Sequence, residues 1–240
     1  MTLRLAGRRS YSSRKRNLRY IDKWFESIVK PQSFYEEHAN SKVRRRYFYN
    51  VDLNGRLFLE ETMPKNIASS IKDEKFLNFF FSSMRLANSD EKKFLDEFGM
   101  SDQYPFVSPC GKEINYVRPA CTPIVYHSFI NGNLIYGGNL IEPFVENKLA
   151  ISKTTGRLYH KLPSRISDRA NGDIFYGTQL EYGLLKSSVA VSMSEQILPS
   201  DEKSDEWKFL TSEGSESPIK WFLEDTKSNV WAMPFDESNE

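Results

Sequence analysis

From Arg44 onward the chain alternates between apolar and polar faces. Tyr47, Tyr49 and Val51 fall on one side of an extended segment and Phe48, Asn50 and Asp52 on the other, the two-residue period of a strand. Asn54-Gly55 follows, then Arg56 to Glu60. The segment therefore predicts a β-hairpin closed by a type I′ turn, whose two central residues both take positive φ. The period then changes. Phe76, Leu77, Phe80, Phe81 and Met84 recur at helical spacing behind Asp73 and Glu74, while Pro64 opens an earlier helix toward Ile71, because proline suits a first helical turn. A short helix is expected over 92–98. After Tyr104 the apolar runs shorten. Tyr104 to Ser108, Ile114 to Arg118, Ile124 to Ile130, Leu134 to Tyr136, Leu140 to Phe144, Ala150 to Ser152, Arg157 to His160 and Leu184 to Met193 read as strands between turn residues such as Gly111, Asn131-Gly132 and Gly137-Gly138. Ile219 to Leu223 with Val230 to Phe235 reads as a last hairpin. The sum predicts an α+β fold, mostly antiparallel β-sheet with an N-terminal β-hairpin followed by helices.

Charge divides the chain differently. Residues 1–46 hold 13 Lys and Arg against 4 acids, residues 200–240 hold 4 against 11, and the whole is +1, so the body between them is near neutral. The first 21 residues carry seven basic side chains and no acid, the composition of a mitochondrial transit peptide, which is drawn electrophoretically toward a negative matrix. Arg9-Ser10-Tyr11-Ser12 has an arginine where the matrix processing peptidase wants one, placing the expected cleavage after residue 11. The expected organisation is a transit peptide over 1–11, a helical or linker segment over 12–43, and a single α+β domain over 44–240. Within that domain the Ser-, Asp- and Glu-rich stretch 199–217 is expected to be a mobile acidic loop.

Composition narrows the chemistry. A 39% hydrophobic share with 17 Phe, 12 Tyr and 4 Trp supports a sizeable core, but no segment approaches the ~20 continuous apolar residues of a membrane helix. Two cysteines suit a reducing compartment rather than a disulfide framework. There is no phosphate-binding glycine loop, dinucleotide fingerprint, nucleophile elbow or paired CxxC. Cys110, Cys121, His127 and His160 have zinc-compatible chemistry but no zinc-finger spacing, so neither a metal nor a cofactor is expected. Cys110 with His127 or His160 as proton carrier is the arrangement a thiol nucleophile would need. Arg118, with its planar fork, is the candidate anion holder, joined by Lys112 and Tyr159. The alternative for Arg118 is an internal ion pair with Glu113 or Glu142. Arg44-Arg45-Arg46 running into Tyr47-Phe48-Tyr49 has the basic and aromatic character of a nucleic-acid surface, although one aromatic set is needed for the core.

Several motifs occur in order. They are Arg46-Tyr47-Phe48-Tyr49-Asn50-Val51-Asp52 with Gly55-Arg56-Leu57-Phe58-Leu59, then Ser108-Pro109-Cys110-Gly111-Lys112-Glu113 with Asn115-Tyr116-Val117-Arg118, and Gly156-Arg157-Leu158-Tyr159-His160. Together they resemble the uncharacterised protein family numbered zero-five-nine-eight, a domain found in animal mitochondrial proteins and in bacteria. The resemblance covers about residues 44–199. It implies one compact domain in mitochondria and supplies no catalytic residue. The function expected is a non-catalytic matrix binding or accessory module that recognises a protein partner or a small anionic ligand. A cysteine-dependent enzyme acting on an acidic small molecule is the alternative, and an RNA-associated factor the weaker one.

Overall fold

The structure, a computed structural model, describes residues 45–162, 182–200, 206–211 and 213–222. Along the chain run β1 (Arg45–Val51), β2 (Leu57–Leu59), α1 (Glu74–Ser82), β3 (Arg85–Leu86), α2 (Ser89–Asp96), β4 (Phe106–Cys110) and β5 (Glu113–Pro119). Next come β6 (Val125–Tyr126), β7 (Ser128–Ile130), β8 (Asn133–Tyr136), β9 (Leu140–Pro143), β10 (Leu149–Ser152) and β11 (Leu158–Lys161). The last described elements are β12 (Tyr182–Leu185), α3 (Ser187–Ser192), β13 (Ile197–Pro199), β14 (Trp207–Leu210) and β15 (Glu216–Phe222).

These strands make three sheets, ordered β2-β1-β5-β4-β3, β13-β14-β15-β10-β11-β12-β6 and β7-β8-β9. The fold is therefore mostly β, and the two larger sheets are mixed. β1 lies parallel to β5, β10 to β15, and β12 to β6. This corrects the expected α+β class with a mostly antiparallel sheet and a hairpin followed by helices. The short spacing between successive strands suggested hairpins throughout, but the strands that pair are not always successive. A parallel partner needs a crossover of a dozen or more residues, and the described parts of these crossovers hold strands and short helices. Side-chain alternation carries no information about strand direction.

Among the described residues the helices are short. α1 is capped at its N-terminus by Asp73, whose carboxylate accepts from the Phe76 amide at 2.7 Å. α2 carries a full capping box between Asn88 and Glu91. The helix expected from Pro64 is absent. There the Asn66 side chain accepts from the amides of Ala68 and Ser69, and the Ser69 hydroxyl donates to the Pro64 carbonyl at 2.7 Å. Side chains that satisfy the backbone locally compete with helix formation in this way. The strand expected over 184–193 divides into β12 and α3. Val189 and Met193 are 4% and 0% exposed while Val191 between them is 70% exposed, and a strand would put all three on one face, whereas a helix turns Val191 away. Inside the expected acidic loop, Trp207–Leu210 forms β14 between β13 and β15, and Phe209 is buried. The expected final hairpin becomes β15 in a different pairing, and its second half, 230–235, lies outside the described residues. The expectations for 1–43 lie outside them too.

The two Asn-Gly pairs exchange roles. Asn131 and Gly132 both have positive φ, 49° and 73°, and connect β7 to β8 as a two-residue loop, the type I′ requirement. At the first hairpin only Gly55 is positive. That loop is longer because the Asp52 carboxylate accepts from the amides of Asn54 and Arg56 at 2.9 and 2.8 Å.

Candidate functional site

The parallel pairing of β1 with β5 decides which motif residues meet. Arg46, Phe48 and Asn50 stand beside Ile114, Tyr116 and Arg118 on one face of the first sheet, and Tyr47 and Tyr49 beside Asn115 and Val117 on the other. The two longest motifs are thus one surface, read on two sides.

On the first face the aromatics form a column. Phe94 of α2 stacks with Tyr116 at 5.9 Å, Tyr116 with Phe48 at 5.2 Å, and Phe48 meets Tyr104 edge-on at 4.8 Å. Arginines close both ends, with Arg46 lying 3.7 Å over Phe94 and Arg118 at 5.5 Å from Tyr104. Phe48 and Tyr49, part of the expected nucleic-acid surface, are buried in this packing.

Arg118 pairs with neither Glu113 nor Glu142. Its Nη2 donates to Glu60 Oε1 at 2.5 Å and its Nε to Asn50 Oδ1 at 2.9 Å, while Asn50 Nδ2 donates to Glu60 Oε2 at 2.5 Å. The three side chains close a ring in which Glu60 and Asn50 are 3% and 8% exposed. The Tyr104 phenol also bonds Glu60, and its pKa is driven far upward, chiefly by burial. Sequence reasoning missed Glu60, yet a signal existed. Alternation puts Glu60 on the same side as Phe58, and an acid on a core-facing position demands a cation.

On the second face Cys110 stands half-buried opposite Glu113. Burial pushes the Tyr49 phenol up to about 12, with Glu113, Tyr47 and Cys110 contributing in that order. Arg45 lies one strand beyond Glu113 from Cys110 in this register, and Glu113 engages it at 3.6 Å. A reactive thiolate wants cationic neighbours, and here the residue opposite Cys110 is an acid, Glu113. Lys112 is exposed in the turn between β4 and β5.

The remaining candidates lie in other parts of the fold. His127 sits between β6 and β7, its Nδ1 3.0 Å from Ser128 Oγ. Tyr159 on β11 is fully buried with its hydroxyl 3.3 Å from Cys121 Sγ. His160, also on β11, packs between Tyr126 and Phe144 at 5.9 and 5.6 Å. Among the described residues no three of His, Cys, Asp and Glu gather as a metal-binding group.

His160 has a consequence for acid stability. It is 0% exposed, its Nε2 accepts from the Val145 amide at 3.2 Å, and burial lowers its pKa from 6.5 to about 4. Above pH 6.5 both folded and unfolded chains hold it neutral. Below that the unfolded chain takes up a proton that the folded chain refuses until about pH 4, so stability falls with pH across this window. The loss should total about 3 kcal/mol. Urea unfolding followed by tryptophan fluorescence at pH 7 and pH 5 should show this slope flattened in His160→Gln. Equal slopes would mean that other groups carry the acid sensitivity.

The protein is similar to a solved structure, a DUF1285 family protein from Silicibacter pomeroyi DSS-3, at 13% identity and a TM-score of 0.39, over 75% of this chain and 90% of that one. Likeness at that level carries no argument about function. A family model described as a domain of unknown function, DUF4505, matches residues 37–222, a span that takes in both motif faces of the first sheet, and the chain belongs to that family.

Proposed function

We propose that this chain is a mitochondrial accessory protein that works by binding rather than by catalysis, and that it takes a protein partner on the outer face of β7-β8-β9. The observation that carries this reading is the exposure of Ile130 and Ile141, 57% and 56%. In register, Ser128 stands beside Ile135 and Ile135 beside Ile141, while Ile130, Asn133 and Pro143 form the next row. The face they make holds no charged side chain. Its reverse is core, with Leu134 and Tyr136 both at 0%. An aliphatic face left in water favours a complementary surface. The absence of charge asks for an uncharged aliphatic segment, and β7 and β9 are the outer strands of their sheet, so an extended segment has an edge to pair with. The dispersal of Cys110, His127 and His160 supports binding over catalysis. The acid-free leader supports the mitochondrial address.

A photo-crosslinking residue at Ile141, introduced into the full chain in isolated mitochondria, should give one discrete adduct with another protein. The same residue at Lys112 should not. Ile130→Asp with Ile141→Asp should abolish the complex while moving Tm by only about 2 °C, as exposed positions allow. A crosslink back to this chain, or the same pattern at Lys112, would sink the reading.

A further inference from the structure

Glu60 gathers two cations from different elements. Arg118 reaches its carboxylate from β5. Lys65 reaches its backbone carbonyl, Nζ donating to Glu60 O at 2.8 Å and to Thr62 O at 3.2 Å. One carboxylate thus stands against two positive charges. Its oxygens are already occupied, Oε1 by Arg118 and Oε2 by Asn50, with the Tyr104 hydroxyl as a further donor.

The guanidinium is only partly used. Nε and Nη2 are committed to Asn50 and Glu60, but Nη1 reaches just Gln103 Oε1 at 3.5 Å, the far limit of a hydrogen bond. An arginine offers five N–H donors in a fixed plane. This one is fixed by its ring, with the Nη1 corner turned toward Gln103 and Lys65 near enough to act on it electrostatically. The Arg118 side chain remains 13% exposed, so part of it meets solvent.

We propose that this corner binds the oxyanion of a small carboxylate or phosphate ligand, with Arg118 Nη1 donating, Lys65 supplying the second charge and the Gln103 amide turned to donate its NH2. Asn50 and Glu60 act as positioning residues. They fix the guanidinium so that no reorganisation is needed on binding, and Glu60 leaves a net charge of one for a monoanion to neutralise. The site is independent of the apolar face on β7-β8-β9.

The test is a titration of the full chain with inorganic phosphate and, separately, with acetate, at ionic strength held constant with chloride, following the Arg118 side-chain Nε–H resonance by NMR. A saturable shift is expected with one of the two anions, and the anion that saturates at lower concentration names the ligand class. Lys65→Gln leaves the Arg118, Glu60 and Asn50 ring intact and should weaken the affinity about fivefold, the worth of one nearby charge at a protein surface. Gln103→Glu places a carboxylate against Nη1 from within and should abolish the shift. Non-saturable drift with both anions, or an unchanged affinity in both variants, would overturn the proposal.

Discussion

Replacing Glu60 by alanine is expected to cost about 3–5 kcal/mol of stability, the usual penalty for breaking a buried ion pair from one side. The side chains of Glu60 and Arg118 are only 2% and 13% exposed. Removing the acid leaves a guanidinium in the sheet with no counter-charge and Lys65 beside it. The Asn50 amide and the Tyr104 hydroxyl lose their acceptor in the same step, and orphaned buried donors each carry their own desolvation cost. Glu60→Gln should cost less, because it retains an acceptor and loses only the charge. Combining Glu60→Gln with Arg118→Gln should recover part of the loss, a non-additivity of about 1–3 kcal/mol that measures the coupling directly. Urea denaturation of five chains, the parent, Glu60→Ala, Glu60→Gln, Arg118→Gln and the double variant, provides all the numbers. If Glu60→Ala falls within 1 kcal/mol of the parent, the ring is decorative and Arg118 is held by the aromatic column alone.

The ring also shows what was legible in the residues. Tyr47 to Asp52 reads as a strand, and β1 runs from Arg45 to Val51. The spacing from Phe76 to Met84 reads as a helical face, and α1 runs from Glu74 to Ser82 with Leu77, Phe80 and Phe81 buried. These are local properties, fixed by periods of 2 and 3.6. Arg118 stood out for its chemistry, but its partner did not, because Glu60 and Arg118 are 58 residues apart and meet only through the parallel pairing of β1 with β5. Nothing in either strand announces that pairing. Cys110, His127 and His160 were grouped by residue type, and type says nothing about sheet. Composition misled at 207–210. Serine and acids dominate the surrounding 199–217, yet Trp207 and Phe209 keep a strand period and complete the sheet between β13 and β15.

Gly138→Ala is expected to be nearly as damaging, for a reason of space rather than charge. The turn from β8 to β9 lies directly on the first turn of α1. A methyl group at Gly138 would meet the Glu74 carbonyl oxygen and Cγ at 2.7 Å and Asn78 Oδ1 at 2.9 Å. The carbonyl belongs to the helix backbone and cannot rotate away. To admit the methyl the helix must lift, and lifting breaks a dense set of hydrogen bonds. The amides of Gly138 and Asn139 donate to Asn78 Oδ1 at 3.1 and 2.9 Å, and Asn139 Nδ2 donates to Glu74 Oε1 at 2.6 Å. Overpacking and lost hydrogen bonds together should cost about 2–4 kcal/mol, a fall in Tm of about 5–15 °C. Gly132→Ala is the right comparison. It sits at positive φ with nothing within 4 Å, so it should pay only the left-handed backbone penalty of about 1 kcal/mol. Calorimetry that ranks Gly138→Ala no lower than Gly132→Ala would refute the close-contact account. The consequence reaches the proposed docking face. α1 packs Phe76 and Phe80 against Tyr49 of β1 and holds the β8-β9 turn through Glu74 and Asn78. One short helix therefore ties the sheet that carries the arginine ring to the sheet that carries Ile130 and Ile141, and loosening the turn should weaken partner capture even at temperatures where the rest of the fold survives.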